Sequence, residues 1–133
     1  MKELIIDAIP ENLDTVLDFV SAQLEESGCD IRLQTQIAIA AEEIFVNIAH
    51  YAYNPEVGGA AVRIAAGDEI VIEFEDSGNP YNPLERENPD ITLGAEEREI
   101  GGLGVFMVGK IMDTVEYRHE GGKNILSIRK TIV

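Results

Sequence analysis

Residues 70–83 read IVIEFEDSGNPYNP, and in this stretch a row of alternating apolar residues ends in the carboxylate of Asp76. Strict alternation puts Ile72 and Phe74 on one face of a predicted strand, and Asp76 continues the same buried parity. A carboxylate in that position is costly to desolvate unless hydrogen bonds are donated to it. Gly78 then stops the strand and lets a flat ligand approach the backbone closely. The stretch predicts either a ligand site or a turn in which neighbouring N–H groups satisfy Asp76.

A second pair of polar residues lies on a long helix, which the apolar periodicity predicts from the capping residue Asp30 to about Tyr53. At about 100° per residue, Glu43 and Asn47 lie one turn apart on one flank of this helix, beside its apolar stripe. Both side chains could therefore face one ligand. Taken singly, the alternatives are a half-exposed helix glutamate and a satisfied boundary amide.

A third candidate feature is a long segment that ends in glycines. Residues 84–100 show no helical or strand period and are crowded with acidic side chains, which is more typical of a functional lid than of an ordinary connector. Gly101, Gly102, Leu103 and Gly104 follow and lead into an apolar helix. Glycines before a buried helix leave free N–H groups and a positive dipole end pointing at a ligand.

The other predicted elements place these three features in one α/β domain. Alternation predicts strands, and apolar residues spaced by three and four predict helices. The expected elements are a strand at 2–8, a helix at 10–27 closed by Gly28, a hairpin of strands at 60–66 and 69–75, a buried helix at 105–112, and two final strands around the turn at 120–122.

Composition narrows the function classes. The chain has 133 residues and a formal charge of −15, which argues against nucleic acid as a partner because phosphate backbones are bound by concentrated Lys and Arg. One cysteine and two histidines offer neither an internal disulfide nor a zinc-type cluster. No apolar run approaches the roughly 18 residues of a membrane span, and acids near the start argue against a signal peptide. We therefore expect a cytoplasmic protein with no membrane partner.

In sequence order, three motifs resemble those of a known superfamily. EEIFVNIAHYAY resembles the N box, EDSGNPYNP the G1 box and GGLGVFMV the G2 box of the GHKL ATPases, which include gyrase, Hsp90, histidine kinases and MutL. Within that superfamily, the short chain and the NPYNP after the aspartate resemble the bacterial anti-sigma-factor serine-protein kinases. The resemblance implies one histidine-kinase-like ATPase domain over residues 1–133, with an ATP lid at about 84–104.

The implied fold is a two-layer α/β sandwich of the Bergerat type: a mixed, mainly antiparallel sheet of about five strands with helices on one face. The implied ligands are ATP and Mg²⁺. Asp76 matches the residue that accepts a hydrogen bond from the adenine amino group, and Gly78 the glycine beneath the adenine. Asn47 matches the magnesium ligand, and Glu43 the general base that acts on a serine hydroxyl.

In the lid, Gly102, Leu103 and Gly104 match the segment whose backbone holds the phosphates. The implied activity is phosphorylation of a small antagonist protein, in a switch that also sequesters a sigma factor. The alternatives are a non-catalytic module in which the nucleotide only sets which partner is held, and a partner-binding domain with a vestigial pocket. The resemblance leaves open whether the chain forms a homodimer.

Overall fold

A five-stranded antiparallel sheet forms one layer of the fold. The computed structural model describes residues 1–52, 58–80 and 108–132, and its strands lie in the order β1-β2-β3-β5-β4. Every pairing between these strands is antiparallel, so the predicted, mainly antiparallel sheet of about five strands is confirmed. The parallel pair that a mixed sheet would contain is not present among the described strands. The strands are β1 (Lys2–Asp7), β2 (Gly59–Ala66), β3 (Glu69–Asp76), β4 (Thr114–Glu120) and β5 (Lys123–Thr131).

The inner face of the sheet is built from rows of side chains that the strand register aligns. One row crosses all five strands and consists of Leu4, Val62, Phe74, Leu126 and Tyr117. Its three central members are buried and belong to the hydrophobic core. Because alternate residues of a strand share a face, each strand contributes its apolar positions to this one side.

Two helices cover that face. α1 (Leu13–Glu26), which follows a 3₁₀ turn at Pro10–Asn12, and α2 (Ile31–Asn47) add buried side chains to the same core. The predicted cap of α2 is present, since the Asp30 carboxylate accepts a hydrogen bond from the Leu33 N–H at 2.9 Å. The helices therefore lie on one side of the sheet, as predicted.

The outer face of the sheet carries paired charges, and none of the described helices packs on it. Arg63 on β2 bonds three acids, with distances of 3.1 Å to Glu3, 3.2 Å to Glu73 and 3.0 Å to Glu75. Lys123 on β5 bonds Glu75 as well, at 3.2 Å. Alternation thus separates an apolar face from a face that carries ion pairs between neighbouring strands.

The end of the long helix differs from its prediction. The α-helix stops at Asn47, and a π-helix continues over Ile48–Ala52, whereas the periodicity predicted one helix to about Tyr53. Apolar spacing does not distinguish the two helix types over so few residues, and π turns occur frequently at functional sites.

Two further predictions fall wholly or partly outside the described residues. The lid at 84–104 lies outside them, and of the predicted helix at 105–112 only the end is described. Residues 108–111 are helical there, with Val108 and Met112 buried. Among the helices that the structure describes, none is long and apolar enough to cross a membrane.

Gly28 provides a test of the connection between α1 and α2. Its φ of +81° places it in the left-handed region, and its N–H bonds the Glu25 carbonyl at the end of α1. Replacing Gly28 by alanine should lower the free energy of unfolding by about 1 kcal/mol, because a Cβ is strained at this φ. Urea denaturation measures the change.

Gly67 is the matched control for this substitution. An added Cβ would meet nothing within 4 Å at either glycine, but the φ of Gly67 lies outside the left-handed region. Gly67→Ala should therefore change stability by less than about 0.5 kcal/mol. Equal losses in the two variants would show that backbone strain at Gly28 is not the cause.

Candidate functional site

Asp76 is the last residue of β3, and it is only 6% exposed. It points to the helix-covered face, as the strand alternation predicted. In the register of the sheet it lies between Ala60 of β2 and Asn124 of β5, and His119 of β4 is opposite Asn124. The inner face of the sheet therefore changes from apolar to polar at this last row.

Two hydrogen bonds hold the Asp76 carboxylate, and both end on Oδ1. The Gly78 backbone N–H and the Asn124 Nδ2 each donate to it at 2.9 Å. Within the described residues, Oδ2 accepts no hydrogen bond. The bond from Gly78 forms the local turn that the sequence offered as an alternative. The same carboxylate therefore closes a local turn through Oδ1 and has a second oxygen, Oδ2, that can accept a hydrogen bond from a ligand.

The environment of Asp76 disfavours its charge. Burial raises the pKa of Asp76, outweighing the hydrogen bonds from Asn124 and Gly78, and the nearby charge of Glu75 raises it further. Because this pKa is higher in the folded than in the unfolded chain, the associated stability is present at low pH and is lost as the pH rises through the folded pKa. A ligand that donates a hydrogen bond to the ionised carboxylate would offset this loss.

Asn124 is a site residue that the sequence reasoning missed. It is 5% exposed, and its Nδ2 also donates to the Asn79 carbonyl at 2.9 Å. The signal was its parity, because Asn124 shares the buried face of β5 with Leu126 and Ile128. A polar residue at a buried position of a strand requires hydrogen-bond partners. Sequence spacing does not reveal that two of them, Asp76 and Asn79, lie more than 40 residues away.

Glu43 lies on α2 and is half-buried. Burial raises the pKa of Glu43, and the like charge of the adjacent Glu42 raises it further. A carboxylate whose pKa is raised toward neutrality is a stronger base when it is ionised. The position therefore suits a group that accepts a proton, while a half-exposed helix glutamate remains the plain structural description.

Asn47 is the last residue of α2 and is 5% exposed, yet neither Oδ1 nor Nδ2 has a hydrogen-bond partner among the residues that the structure describes. Leaving such a buried amide unpaired costs about 1–3 kcal/mol. Within the described part of the chain, the satisfied boundary amide offered as an alternative is therefore not found. An amide oxygen is a ligand that hard cations such as Mg²⁺ accept, so the unpaired side chain fits the magnesium role that the resemblance implied.

The predicted site residues divide into two groups. Ile44, Phe45 and Phe74 belong to one core cluster, so the ends of α2 and β3, which carry Asn47 and Asp76, border the same core. No hydrogen bond joins these two side chains. The second group, Gly102, Leu103 and Gly104, lies outside the described residues.

Comparison with known families gives the identity of the fold. A model described as "Histidine kinase-like ATPase domain" matches residues 6–130. The chain belongs to this family of ATPase domains. The resemblance that the N, G1 and G2 boxes predicted is therefore confirmed.

Two kinases are similar in sequence to this histidine kinase-like ATPase domain. Serine-protein kinase RsbW from Bacillus cereus is 31% identical over 93 residues, which cover 66% of this chain and 58% of that protein. Serine/threonine-protein kinase BtrW from Bordetella bronchiseptica is 24% identical over 100 residues, covering 73% of this chain and 70% of that protein. The chain thus spans somewhat more than half the length of the RsbW relative.

Two solved structures share the fold of this histidine kinase-like ATPase domain. The RsbU and RsbW domains of a Mycobacterium tuberculosis protein match 98% of this chain and 32% of that one, with a TM-score of 0.63 and 18% identity. The SiaB–SiaC complex from Pseudomonas aeruginosa gives a TM-score of 0.59 at 17% identity, covering 97% of this chain and 89% of that one. At these identities the likeness shows the fold alone.

The unpaired amide of Asn47 leads to a stability test. Asn47→Leu should raise the free energy of unfolding by about 1 kcal/mol or more, because leucine has a similar volume and removes two unsatisfied polar atoms. Denaturant unfolding of the ligand-free chain measures this change.

Asn124 is the matched control, since the two asparagines are equally buried at 5% but Asn124 is fully engaged. Asn124→Leu should lower the free energy of unfolding by about 1–3 kcal/mol. A loss of stability in Asn47→Leu as large as that in Asn124→Leu would mean that Asn47 is satisfied in solution.

Proposed function

We propose that this chain binds ATP with Mg²⁺ and phosphorylates a serine or threonine of a small antagonist protein in a bacterial partner-switching system. The proposed unit is a single domain over residues 1–133 with an ATP lid at 84–104. Kinase relatives covering most of the chain support the reaction class. The observation that carries the proposal is the buried, unpaired Asn47 side chain at the end of α2.

The role proposed for Asn47 follows from its lack of partners. A buried amide that makes no hydrogen bond weakens the fold unless a ligand completes its coordination. Its Oδ1 would hold Mg²⁺, and that ion would supply positive charge beside the phosphates of the nucleotide. A merely structural amide in this position would be expected to find a donor or an acceptor within the core.

The role proposed for Asp76 is recognition of the base. Gly78 and Asn124 both donate to Oδ1, so Oδ2 is left to accept from the amino group of adenine. Gly78 follows by two residues and would lie beneath the ring, where a side chain would obstruct close approach. A hydrogen bond to an ionised carboxylate is roughly twice as strong as one between neutral groups.

The role proposed for Glu43 is that of general base. Its carboxylate would accept the proton of the substrate hydroxyl as the oxygen bonds to the γ-phosphorus and the bond to the ADP oxygen breaks. Glu43 is half-buried beside Asn47, one helical turn away on α2. The lid residues Gly102, Leu103 and Gly104 would hold the phosphates through their backbone.

The proposed biological setting extends the same scheme. The unphosphorylated antagonist would be the substrate, and a sigma factor would be the protein that the kinase sequesters. The cytoplasm would be the place where they meet. The formal charge of −15 sets nucleic acid aside as a direct partner. A homodimer would be compatible with this scheme but is not required by it.

Nucleotide binding tests the proposed site directly. Mg²⁺-ATP should bind in isothermal titration and raise the melting temperature, and Asp76→Asn should weaken binding about tenfold because the charged acceptor is lost. Asp68→Asn, in the exposed turn between β2 and β3, is the control for the loss of one negative charge. Absence of any heat or stabilisation with the native chain would reject the proposal.

Phosphoryl transfer tests the role of Glu43. With labelled ATP and a candidate antagonist protein, Glu43→Gln should reduce the rate by about 10²-fold or more while nucleotide binding is retained. The neighbouring Glu42→Gln keeps the base and removes a like charge, so it should remain active. A chain that binds both nucleotide and partner but transfers no phosphate would instead be the nucleotide-gated binding module.

The pH dependence adds a check with a defined sign. Because Glu43 must be ionised to accept a proton, the rate should fall as the pH drops through its raised pKa. Glu42→Gln removes one cause of that rise, so the acidic limb of its profile should move to lower pH. An unchanged limb would show that Glu43 is not the titrating base.

A further inference from the structure

The amide of Asn124 is held at both of its ends. Its Nδ2 donates to Asp76 Oδ1 and to the Asn79 carbonyl, each at 2.9 Å, with a longer contact of 3.5 Å to the Gly78 carbonyl. Its Oδ1 accepts from the hydroxyl of Tyr117 at 2.5 Å. One side chain of β5 thereby joins the end of β3, the loop after it and the edge strand β4.

These bonds fix the direction of the amide. If the amide were rotated by half a turn, its oxygen would face Asp76 Oδ1 and the Asn79 carbonyl. Three hydrogen-bond acceptors would then lie together with no donor between them. In the observed direction the donor end meets two acceptors, and the acceptor end meets the hydroxyl of Tyr117. A buried amide whose donor and acceptor ends are both engaged is held in one arrangement.

The consequence for Asp76 is that its two oxygens are not equivalent. Oδ1 is engaged by Asn124 and by the Gly78 N–H, so the carboxylate plane is set by two donors from different segments. Only Oδ2 is then available, and an ionised carboxylate oxygen can accept but cannot donate. A purine ring that carries a carbonyl at the position facing Oδ2 would therefore place one acceptor against another.

We propose that Asn124, with Tyr117 behind it, is a positioning residue that makes the site select purines donating a hydrogen bond from position 6 over purines carrying a carbonyl there. This inference rests on the nucleotide site of the proposed function and adds the residues that determine its specificity. Tyr117 acts through Asn124, and Asn124 acts through Asp76. Neither residue touches the phosphates or the transferred group in this scheme.

The charges around Asp76 come from three strands. Glu75 is its neighbour on β3, Lys123 on β5 bonds Glu75, and His119 on β4 lies opposite Asn124 in the register. Glu75 disfavours ionisation of Asp76 and His119 favours it. The hydrogen bond from Asn124 acts in the same sense as His119, so removing it should shift Asp76 toward its protonated form.

The experiment compares ATP with inosine triphosphate, which differs at position 6 of the purine, in the presence of Mg²⁺. The ratio of the two Kd values should favour ATP by at least about tenfold in the native chain. Asn124→Leu should reduce this ratio about tenfold, and Tyr117→Phe, which removes only the hydroxyl, by about threefold. Ser127→Ala is the control, because Ser127 is equally buried on the other face of β5.

A purely structural role would give a different pattern. Weakening of both nucleotides by the same factor in Asn124→Leu and Tyr117→Phe, with the ratio kept within a factor of two, would overturn the inference. Because Asn124→Leu lowers stability, Tyr117→Phe serves as the variant that retains the amide itself. Circular dichroism establishes that each variant is folded before its ratio is compared.

A measurement without nucleotide separates this inference from the proposed function. Titration of the Asp76 side-chain carboxyl by carbon NMR in the ligand-free chain should show a higher midpoint in both variants than in the native chain and in Ser127→Ala. An unchanged midpoint would overturn the positioning role even if ATP binds. If no nucleotide binds, the proposed function and the proposed specificity are both rejected. A raised midpoint in the two variants would still show that Asn124 positions Asp76.

Discussion

The fold depends at its functional end on one buried carboxylate and the donors that make its burial tolerable. Asp76 loses its hydration on the inner face of the sheet, and Gly78 and Asn124 return two hydrogen bonds to a single oxygen. The antiparallel pairing of β3 with β5 brings Asn124 to this place, since the register sets it directly opposite Asp76. The strand order therefore determines which donor reaches the buried carboxylate at this edge of the sheet.

Several polar groups of the candidate site make unfavourable contributions to the stability of the ligand-free fold. Asn47 is buried without a partner, and burial raises the pKa values of Glu43 and Asp76. An apolar residue at position 47 would suit the ligand-free fold better, which is the pattern expected where activity and stability compete. The ordinary core lies one row deeper, where Val62, Phe74 and Leu126 fill the sheet without polar atoms.

Local pattern predicted most of the fold, because alternation and helical spacing are properties of consecutive residues. The strand that ends at Asp76 and the capped helix that carries Glu43 and Asn47 follow from such spacing. Asn124 was missed because two of its partners, Asp76 and Asn79, lie more than 40 residues away, and only the strand order brings them together. The π turn after Asn47 was missed because apolar spacing over five residues does not separate helix types.

The acidity of the chain is relevant to its proposed need for a metal ion, because both concern the supply of positive charge for a bound triphosphate. At least five of the ten Lys and Arg side chains bond acids along the sheet, and α1 contains neither residue type. Arg63 alone is shared by three glutamates, so these cations already serve acids of the chain itself. In a chain of formal charge −15, phosphates are better held by a divalent cation and backbone N–H groups than by basic side chains. Among the described residues, the buried side-chain oxygen of Asn47 has no hydrogen-bond partner, which is why it is the group that we propose for that cation.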